Sequence, residues 1–410
     1  MIRSGVDIVE ISRFRSMKNF ERFLKYTFTE RERACLNEKK DIYESAAAGF
    51  AAKEAFSKYM GSGFSGFAPR DVEILYDENG KPYIVFMGKP SAADISLSHC
   101  REYAVATVNG EKCAMGGEYA ELIKSYGHML PKRRRDMHKG DCGRLLIAAG
   151  SLKMVGAACL CARAAMRTGS GLVTLATADC VQQTAAAKLN EIMTLPLPSE
   201  GGIISGDGAA EIAEALRICN AAAIGPGLGR GSGVPTILKE FIRSGIPVVI
   251  DADGLNALSE NIGLLGEDHG DIILTPHPVE MSRLCGEKVP SDDKGREEIA
   301  VEFAKRYGVI VLLKGHRTVI ASPKGEIHIN ESGNSGMASG GMGDVLTGII
   351  ASFCGQGVEA YNAAVLGAFI HGLAGDIAAD DKGQFGMIAS DVIDKLPYAI
   401  SAIDAYSAAK

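Results

Sequence analysis

Asp344 comes directly after five glycines in eleven residues, Gly333, Gly336, Gly340, Gly341 and Gly343. That arrangement suits a phosphate. Glycine lets a backbone turn tightly and approach a ligand with no Cβ in the way. Val345, Leu346, Ile349, Ile350 and Phe353 follow at helical spacing, so a helix is expected to begin here. The unpaired N–H groups and dipole of a helix start seat an anion. A carboxylate beside that seat can take the proton from a hydroxyl that attacks a phosphoryl group. The other common use of Asp at such a place is to cap the helix. A lone Gly-Asp would favour the cap, and the run of glycines moves the reading towards an anion hole.

Two more carboxylates stand out. Asp7 lies within the strand-like run Gly5–Val9, and Glu54 within the helical pattern GFAAKEAFSKYMG. A charge in an otherwise apolar strand is costly to bury unless it is paired or binds a metal. Glu54 and Lys58 at i, i+4 also read as an ordinary surface pair, and Asp7 could equally pair with a lysine or arginine. His277, in Thr275-Pro276-His277-Pro278, stands just past an expected strand end. A structural hydrogen bond and a ligand contact are equally open there.

The elements that must hold these groups fall into two sets. Residues 1–112 read as a small α+β unit, with a strand at Gly5–Val9 and helices near 11–25, 29–39 and 41–60. Strands follow at 72–76, 83–87, 94–98 and 103–108, the first two joined through the hairpin signal Asn79-Gly80. From Arg144 the pattern becomes strands alternating with helices. The runs 145–150, 171–177, 221–225, 247–251, 271–275 and 309–313 are nearly all apolar, as suits a parallel sheet buried on both faces. Amphipathic helices such as 155–168 and 232–243 can cover it, and shorter strands at 317–321 and 326–330 suggest an antiparallel edge.

Gly-rich joints recur after strands, at Gly150-Ser151, Gly225–Gly229 and Asp251–Gly254. Ligands of doubly wound sheets sit at the carboxyl ends of strands, so these joints and Asp344 are expected to share one crevice. Gly61–Gly66 matches Gly-x-Gly-x-x-Gly but follows a helix and opens none, so it reads as a loop. No Gly-x-x-x-x-Gly-Lys-Ser/Thr occurs, which excludes a P-loop motif.

Composition narrows the class. The 410 residues are 46% hydrophobic and 23% charged, with a net charge of -6. That mild acidity argues against nucleic acid or anionic membrane as the main partner. The start of the chain holds too short an apolar run for a signal peptide, and no run of about eighteen apolar residues suggests a membrane span. The ten cysteines include no Cys-x-x-Cys pair, so reduced thiols and a cytoplasmic location are expected. Lys132-Arg133-Arg134-Arg135 reads as solvated surface. Residues 111–128 lack a long apolar period, so the expected domains are 1–115 and 129–406, with a linker at 116–128.

Each domain carries a resemblance. GVDIVEI, FAAKEAFSK, ENGKP and ISLSH, in order and at the family's spacing, resemble the holo-acyl-carrier-protein synthases across the whole first domain. That resemblance implies the α+β phosphopantetheinyl-transferase fold, homo-oligomers, and transfer of 4'-phosphopantetheine from coenzyme A to a serine of acyl carrier protein. It assigns Mg2+ to Asp7 and Glu54, in keeping with the metal's preference for oxygen ligands, and coenzyme A to Lys58, Ser98 and His99. Relatives often carry a basic residue where this chain has Gly49, which leaves a phosphate contact there unfilled.

HKGDCGRLLIAAGS, GAACLCARAAMRTGSGLVTLAT, IGPGLGR, DADGLNAL, LTPHPVEM, LKGHRT and GNSGMASGGMGDVLTGII resemble the ADP-dependent NAD(P)H-hydrate dehydratases. The match runs from about 131 to 405. It implies an α/β ribokinase-like fold, a mostly parallel sheet covered on both faces by helices. It also implies repair of hydrated NADH or NADPH with ADP, releasing AMP and phosphate. Ala157, Gly227, His277 and Asp344 would face the hydrated nucleotide. Lys314, Gly315, His316, Arg317, Thr318 and Gly343 would hold ADP or AMP, with Asp344 as the base and Glu54 the second catalytic carboxylate of the chain. Many relatives carry an epimerase domain, and here the synthase-like domain stands in that place. The alternative reading is a ribokinase-like kinase for a small alcohol, fused to a non-catalytic or trimerising module.

Overall fold

The computed structural model describes residues 2–407 apart from 62, 65–66, 92, 112–121 and 124. The chain divides into two compact units, Met1–Gly117 and Glu118–Lys410. Much of the expected linker, and part of the Gly61–Gly66 loop, lies outside the described residues.

The first unit runs β1 (Ile2–Glu10), α1 (Ser12–Arg15), α2 (Phe20–Thr27), α3 (Glu30–Asn37) and α4 (Ile42–Met60). Then come β2 (Val72–Tyr76), β3 (Pro82–Phe86), β4 (Lys89–Pro90), β5 (Asp94–His99) and β6 (Tyr103–Glu111). Antiparallel pairing gives two small sheets, β1-β6-β5 and β2-β3-β4. The helix expected over 11–25 is two helices. Ser16 Oγ donates back to the Ser12 carbonyl at 3.0 Å, and a side chain that bonds its own backbone weakens a helix interior.

Helix α4 is the spine of this unit. Asp41 caps it, accepting from the Tyr43 and Glu44 N–H groups at 2.9 and 3.2 Å, and Gly61 ends it with φ 79. Its buried face is mostly alanine: Ala47, Ala48, Ala51, Ala52 and Ala55. Small side chains let β1 lie close, closest at Gly5, where a Cβ would collide with the Ala55 carbonyl and sit 2.6 Å from the Tyr59 nitrogen. Gly5→Ala is therefore expected to cost about 1–3 kcal/mol or more through overpacking against backbone. Hydrogen exchange of β1 and α4 amides measures it, and unchanged protection would show that the strand moves aside freely.

Lys53, also on α4, is fully buried. Its ammonium donates to Glu32 Oε2 at 2.8 Å, to the Pro69 carbonyl at 3.0 Å and to the Val72 carbonyl. Glu32 also accepts the Ile74 and Thr29 N–H groups at 2.9 and 2.8 Å. Every partner is satisfied, as a buried ion pair requires. On the other side of the β1-β6-β5 sheet, Val6, Ile8 and Tyr103 are 53%, 61% and 45% exposed.

The second unit begins with β7 (Arg144–Ala148), α5 (Val155–Arg167), β8 (Leu172–Ala178), α6 (Asp179–Ala186) and β9 (Met193–Leu197). A two-residue hairpin follows, β10 (Ser199–Glu200) and β11 (Ile203–Ile204), then α7 (Ala209–Leu216), β12 (Ala221–Ile224) and α8 (Val234–Ile242). Next are β13 (Val248–Ile250), α9 (Ala252–Glu260), β14 (Ile272–Leu274), α10 (Pro278–Cys285), α11 (Asp293–Tyr307) and β15 (Ile310–Leu313). The chain closes with β16 (Thr318–Ala321), β17 (Ile327–Asn330), α12 (Met342–Gly355), α13 (Ala360–Lys382) and α14 (Ala389–Ser407).

The sheet order is β17-β16-β15-β14-β13-β12-β7-β8-β9. It is parallel from β9 to β15, and β16 and β17 form the expected antiparallel edge. Strands β7, β12, β13, β14 and β15 are buried almost throughout, which is why they read as apolar runs. Strand β9, MTLPL, carries no such signal. Its proline and part-exposed residues suit an edge strand.

Two expectations change in this unit. Helix α13 is long and apolar enough to cross a membrane, with mean hydropathy 1.3, but 78% of that window is buried inside the unit. It is a core helix. The Lys132–Arg135 run is also more than solvated surface. Arg133 donates to Cys142 Sγ at 2.7 Å, to Gln356 Oε1 at 3.0 Å and to the Gly169 carbonyl, tying the segment before β7 to the end of α12. The cysteines among the described residues are free thiols.

Candidate functional site

Three elements of the second unit meet at one carboxylate. Asp251 follows β13, Lys314 follows β15, and Thr347 lies in α12. Lys314 Nζ donates to Asp251 Oδ1 at 2.7 Å, and Thr347 Oγ1 to Asp251 Oδ2 at 2.8 Å. The next residue, Ala252, has φ 46, a strained conformation for a side-chain-bearing residue and the kind found at working sites. Burial alone would lower the Lys314 ammonium, but Asp251 and then Glu280, 4.0 Å away, outweigh it and hold it above its ordinary range.

Asp344 stands in the first turn of α12. The cap residue there is Gly341, with φ 92 and no side-chain cap bond. Burial, then the charge of Asp251, push the Asp344 carboxyl up to about 7, against the pull of Lys314. Gly343 keeps the approach open, since a Cβ there would lie 3.3 Å from Lys314 Nζ and 3.7 Å from Asp251 Oδ2. The crevice thus holds a fixed cation, an anion bonded through both oxygens and a carboxyl whose proton is near balance at neutral pH. Such an arrangement can accept a proton from a hydroxyl and receive phosphoryl oxygens.

The neighbouring joints converge on the same place. Asp253 accepts the Gly229 N–H at 2.8 Å, which ties the IGPGLG loop to the DADG loop. Gly227 has φ 63, and a Cβ on it would come 2.8 Å from the Met154 carbonyl and 2.9 Å from Ala157 Cβ. Ala157, in the first turn of α5, and Gly227, in the loop after β12, are therefore neighbours. His277 caps α10: its Nδ1 accepts from the Val279 and Glu280 N–H groups at 3.1 and 3.3 Å, and Glu280 caps back to its N–H at 2.8 Å. Burial, then Lys314 and Arg283, hold its imidazole below the ordinary range.

The turn from Lys314 to Thr318 is shaped by Arg296 of α11, which is buried. Arg296 donates to the His316 and Leu313 carbonyls at 2.8 and 3.3 Å. Thr318 Oγ1 donates to the Gly315 carbonyl at 3.0 Å, and Arg317 has φ 56 with Asp293 and Glu331 at 3.7 and 3.8 Å.

The first unit holds two separate clusters. Lys58 Nζ lies 2.8 Å from Asp7 Oδ1 and donates to the Val6 carbonyl at 3.1 Å. Glu54 is close enough that burial and then the Asp7 charge raise its carboxyl, against Lys58. Among the described residues no group of three His, Cys, Asp or Glu side chains gathers to hold a metal. At the other end of α4 a cleft of about 470 Å3 is lined by Lys39, Ser45, Tyr76, Lys81, Ser96 and His99, among others. Lys39 Nζ sits 5.2 Å from the centre of the Tyr76 ring, and His99 Nδ1 is 3.8 Å from Glu44. Ser98 does not line the cleft. Helical rise separates Glu44 from Lys58 by roughly 20 Å.

Residues 145–398 match the family model of the NAD(P)H-hydrate dehydratases. The chain belongs to the NAD(P)H-hydrate dehydratase family. Residues 3–108 match the 4'-phosphopantetheinyl transferase superfamily. The bifunctional NAD(P)H-hydrate repair enzyme of Moorella thermoacetica is 47% identical over 273 residues, 66% of this chain and 52% of that protein. The ADP-dependent (S)-NAD(P)H-hydrate dehydratase of Neisseria meningitidis is 38% identical over 65% of this chain and 88% of its own length. The crystal structure of the ADP/ATP-dependent NAD(P)H-hydrate dehydratase from Bacillus subtilis, co-crystallised with ATP and Mg2+, superposes with a TM-score of 0.59. It covers 68% of this chain and 97% of that one at 31% identity. The chain spans about half the length of the bifunctional repair enzymes it matches.

In the dehydratase-family unit the fold brings together Lys314, Gly343 and Asp344, and separately Ala157 with Gly227. Thr347 and Arg296 had not been singled out from the sequence, and Asp251 had been placed in the expected crevice only as part of the DADG joint. Asp251 opens the DADG joint after β13, but its pairing with residues 63 and 96 positions away leaves no local trace. In the first unit, Lys39, Lys81 and Tyr76 of the cleft were likewise missed. Lys81 stands within the quoted ENGKP turn, the one local signal available.

Proposed function

We propose that the second unit dehydrates hydrated NADH and NADPH with ADP as phosphoryl donor, releasing AMP and phosphate. The observation that carries this reading is a carboxyl held near 7 beside an ammonium at a glycine-lined helix start. Asp344 takes the proton of the ring hydroxyl as its oxygen attacks the terminal phosphorus of ADP, and AMP departs with the bridging oxygen. Lys314 and the loop N–H groups balance the charge that builds on the phosphoryl oxygens. Phosphate then leaves with the carbon–oxygen electrons, and loss of a ring proton restores the dihydropyridine. Lys314, Gly315, His316, Arg317, Thr318 and Gly343 hold the adenine nucleotide; Ala157, Gly227 and His277 face the hydrated ring. The decisive experiment is incubation with hydrated NADPH, with ADP and ATP supplied separately. Recovered absorbance of reduced nicotinamide supports dehydration, and a stable phosphorylated alcohol would mean a kinase.

In the same reading the first unit transfers 4'-phosphopantetheine from coenzyme A to a serine of acyl carrier protein. Asp7 and Glu54 fit Mg2+, which commonly takes one or two carboxylates and completes its shell with water and substrate phosphate. The ion would supply neutralisation of the pyrophosphate. Lys58 and His99 contact the coenzyme, and Lys39 and Lys81 give the cleft its positive charge. Ser98, outside the cleft, is the weakest of the assigned contacts. The apolar face of Val6, Ile8 and Tyr103 supports a homo-oligomer.

A further inference from the structure

The glycine-rich stretch lies along one face of α13, and two glycines of that helix make room for it. A Cβ at Gly372 would collide with the Ser332 hydroxyl, and one at Gly375 with Met337 Sδ. Asn330 Nδ2 donates to the Ala368 carbonyl at 3.4 Å and Ser332 Oγ to the Phe369 carbonyl at 3.0 Å. One turn on, Asp376 takes the Gly333 N–H on Oδ2 at 2.9 Å and Asn334 Nδ2 on Oδ1 at 2.8 Å. Asn334 Oδ1 in turn accepts the Gly336 N–H at 2.9 Å. Residues 330–337 are thus anchored, whereas a Cβ at Gly340 would meet nothing within 4 Å. The open half of the loop, which leads into Gly343 and Asp344, hangs from the anchored half.

We propose that Asp376 and Asn334 form a clasp that sets the loop for phosphoryl transfer, both acting as positioning residues that touch neither substrate nor nucleotide. This rests on the dehydratase reading above. The chemistry is specific: a carboxylate only accepts, and here it faces two donors. In Asp376→Asn the new amide must point its NH2 at one of those donors, and Asn334→Asp sets two carboxylates against each other. Combining the two substitutions restores the three bonds of the clasp with one of them reversed. The amide introduced on α13 would donate to the carboxylate introduced in the loop, and its carbonyl would still accept from the Gly333 N–H. The loop carboxylate would still accept from the Gly336 N–H.

The test is turnover of hydrated NADPH with ADP by the full chain, with ADP affinity by titration calorimetry and melting temperature alongside. Each single variant should lose about tenfold or more in kcat/KM, the scale of a lost charge-assisted hydrogen bond. The double swap should return to within about threefold of wild type. Singles that work normally overturn the clasp, as does a double that recovers melting temperature without turnover. If the wild-type chain itself fails on hydrated NADPH, the dehydratase reading has failed instead. The clasp then stands or falls on whether the singles weaken ADP binding and the swap restores it.

Discussion

Asp344→Asn is expected to slow hydrate dehydration by about a hundredfold to ten-thousandfold, the usual contribution of a general base. The amide keeps the carboxyl's size and cannot take the hydroxyl's proton. ADP binding should persist, because Lys314 and the glycine N–H groups are intact. Stability should not fall. Burial and Asp251 raise this carboxyl to about 7, so the folded state holds the proton more tightly than the unfolded chain does. The favourable contribution is full below the ordinary carboxylate range and is lost as pH rises through about 7. At pH 8 the Asn variant, free of that cost, should melt no lower than wild type. The same group gives kcat/KM an acid limb: activity falls as pH drops through about 7, and the variant's residual rate lacks that limb. An Asn variant with normal turnover would withdraw the base role altogether.

Asp7→Ala and Glu54→Ala are each expected to abolish pantetheine transfer while dehydration continues. With only two carboxylates in the cluster, losing either leaves Mg2+ a single protein ligand. Asp7→Ala has a second effect, since Lys58 loses its 2.8 Å partner. A carrier-protein modification assay read by mass, run beside the dehydration assay, separates the two activities. Near-wild-type transfer in both variants would remove the metal assignment.

How much of this was legible beforehand depends on the range of the interaction. Strands β7, β12, β13, β14 and β15 could be read because a strand buried on both faces must be apolar at every position. The hairpin of β2 and β3 could be read because Gly80, with φ 77, answers a local backbone need. Asp344 announced itself through neighbouring glycines. The DADG joint placed Asp251 in the crevice, but its bonds, like those of Arg296, could not be read, because their partners are distant in sequence. Lys53 is the sharpest case. Inside FAAKEAFSK it resembles any solvated lysine, yet it is buried against Glu32 and backbone carbonyls. The break between α1 and α2 was missed for the opposite reason, since one serine hydroxyl overrode an otherwise helical pattern.

With both Asp251 oxygens bonded to Lys314 and Thr347, Asp344 is the crevice acid proposed to react. Burial, then the charge of Asp251, sets how strong a base it is. A carboxylate at its ordinary value of 3.8 would be wholly ionised in neutral solution and would bind a proton feebly. Moving it to about 7 forfeits only half of the ionised population there, roughly a factor of two in working sites. In return the affinity for a proton rises about a thousandfold, of which a Brønsted relation passes a fraction into the rate. The crevice trades occupancy for basicity on favourable terms, through burial first and the charge of Asp251 second.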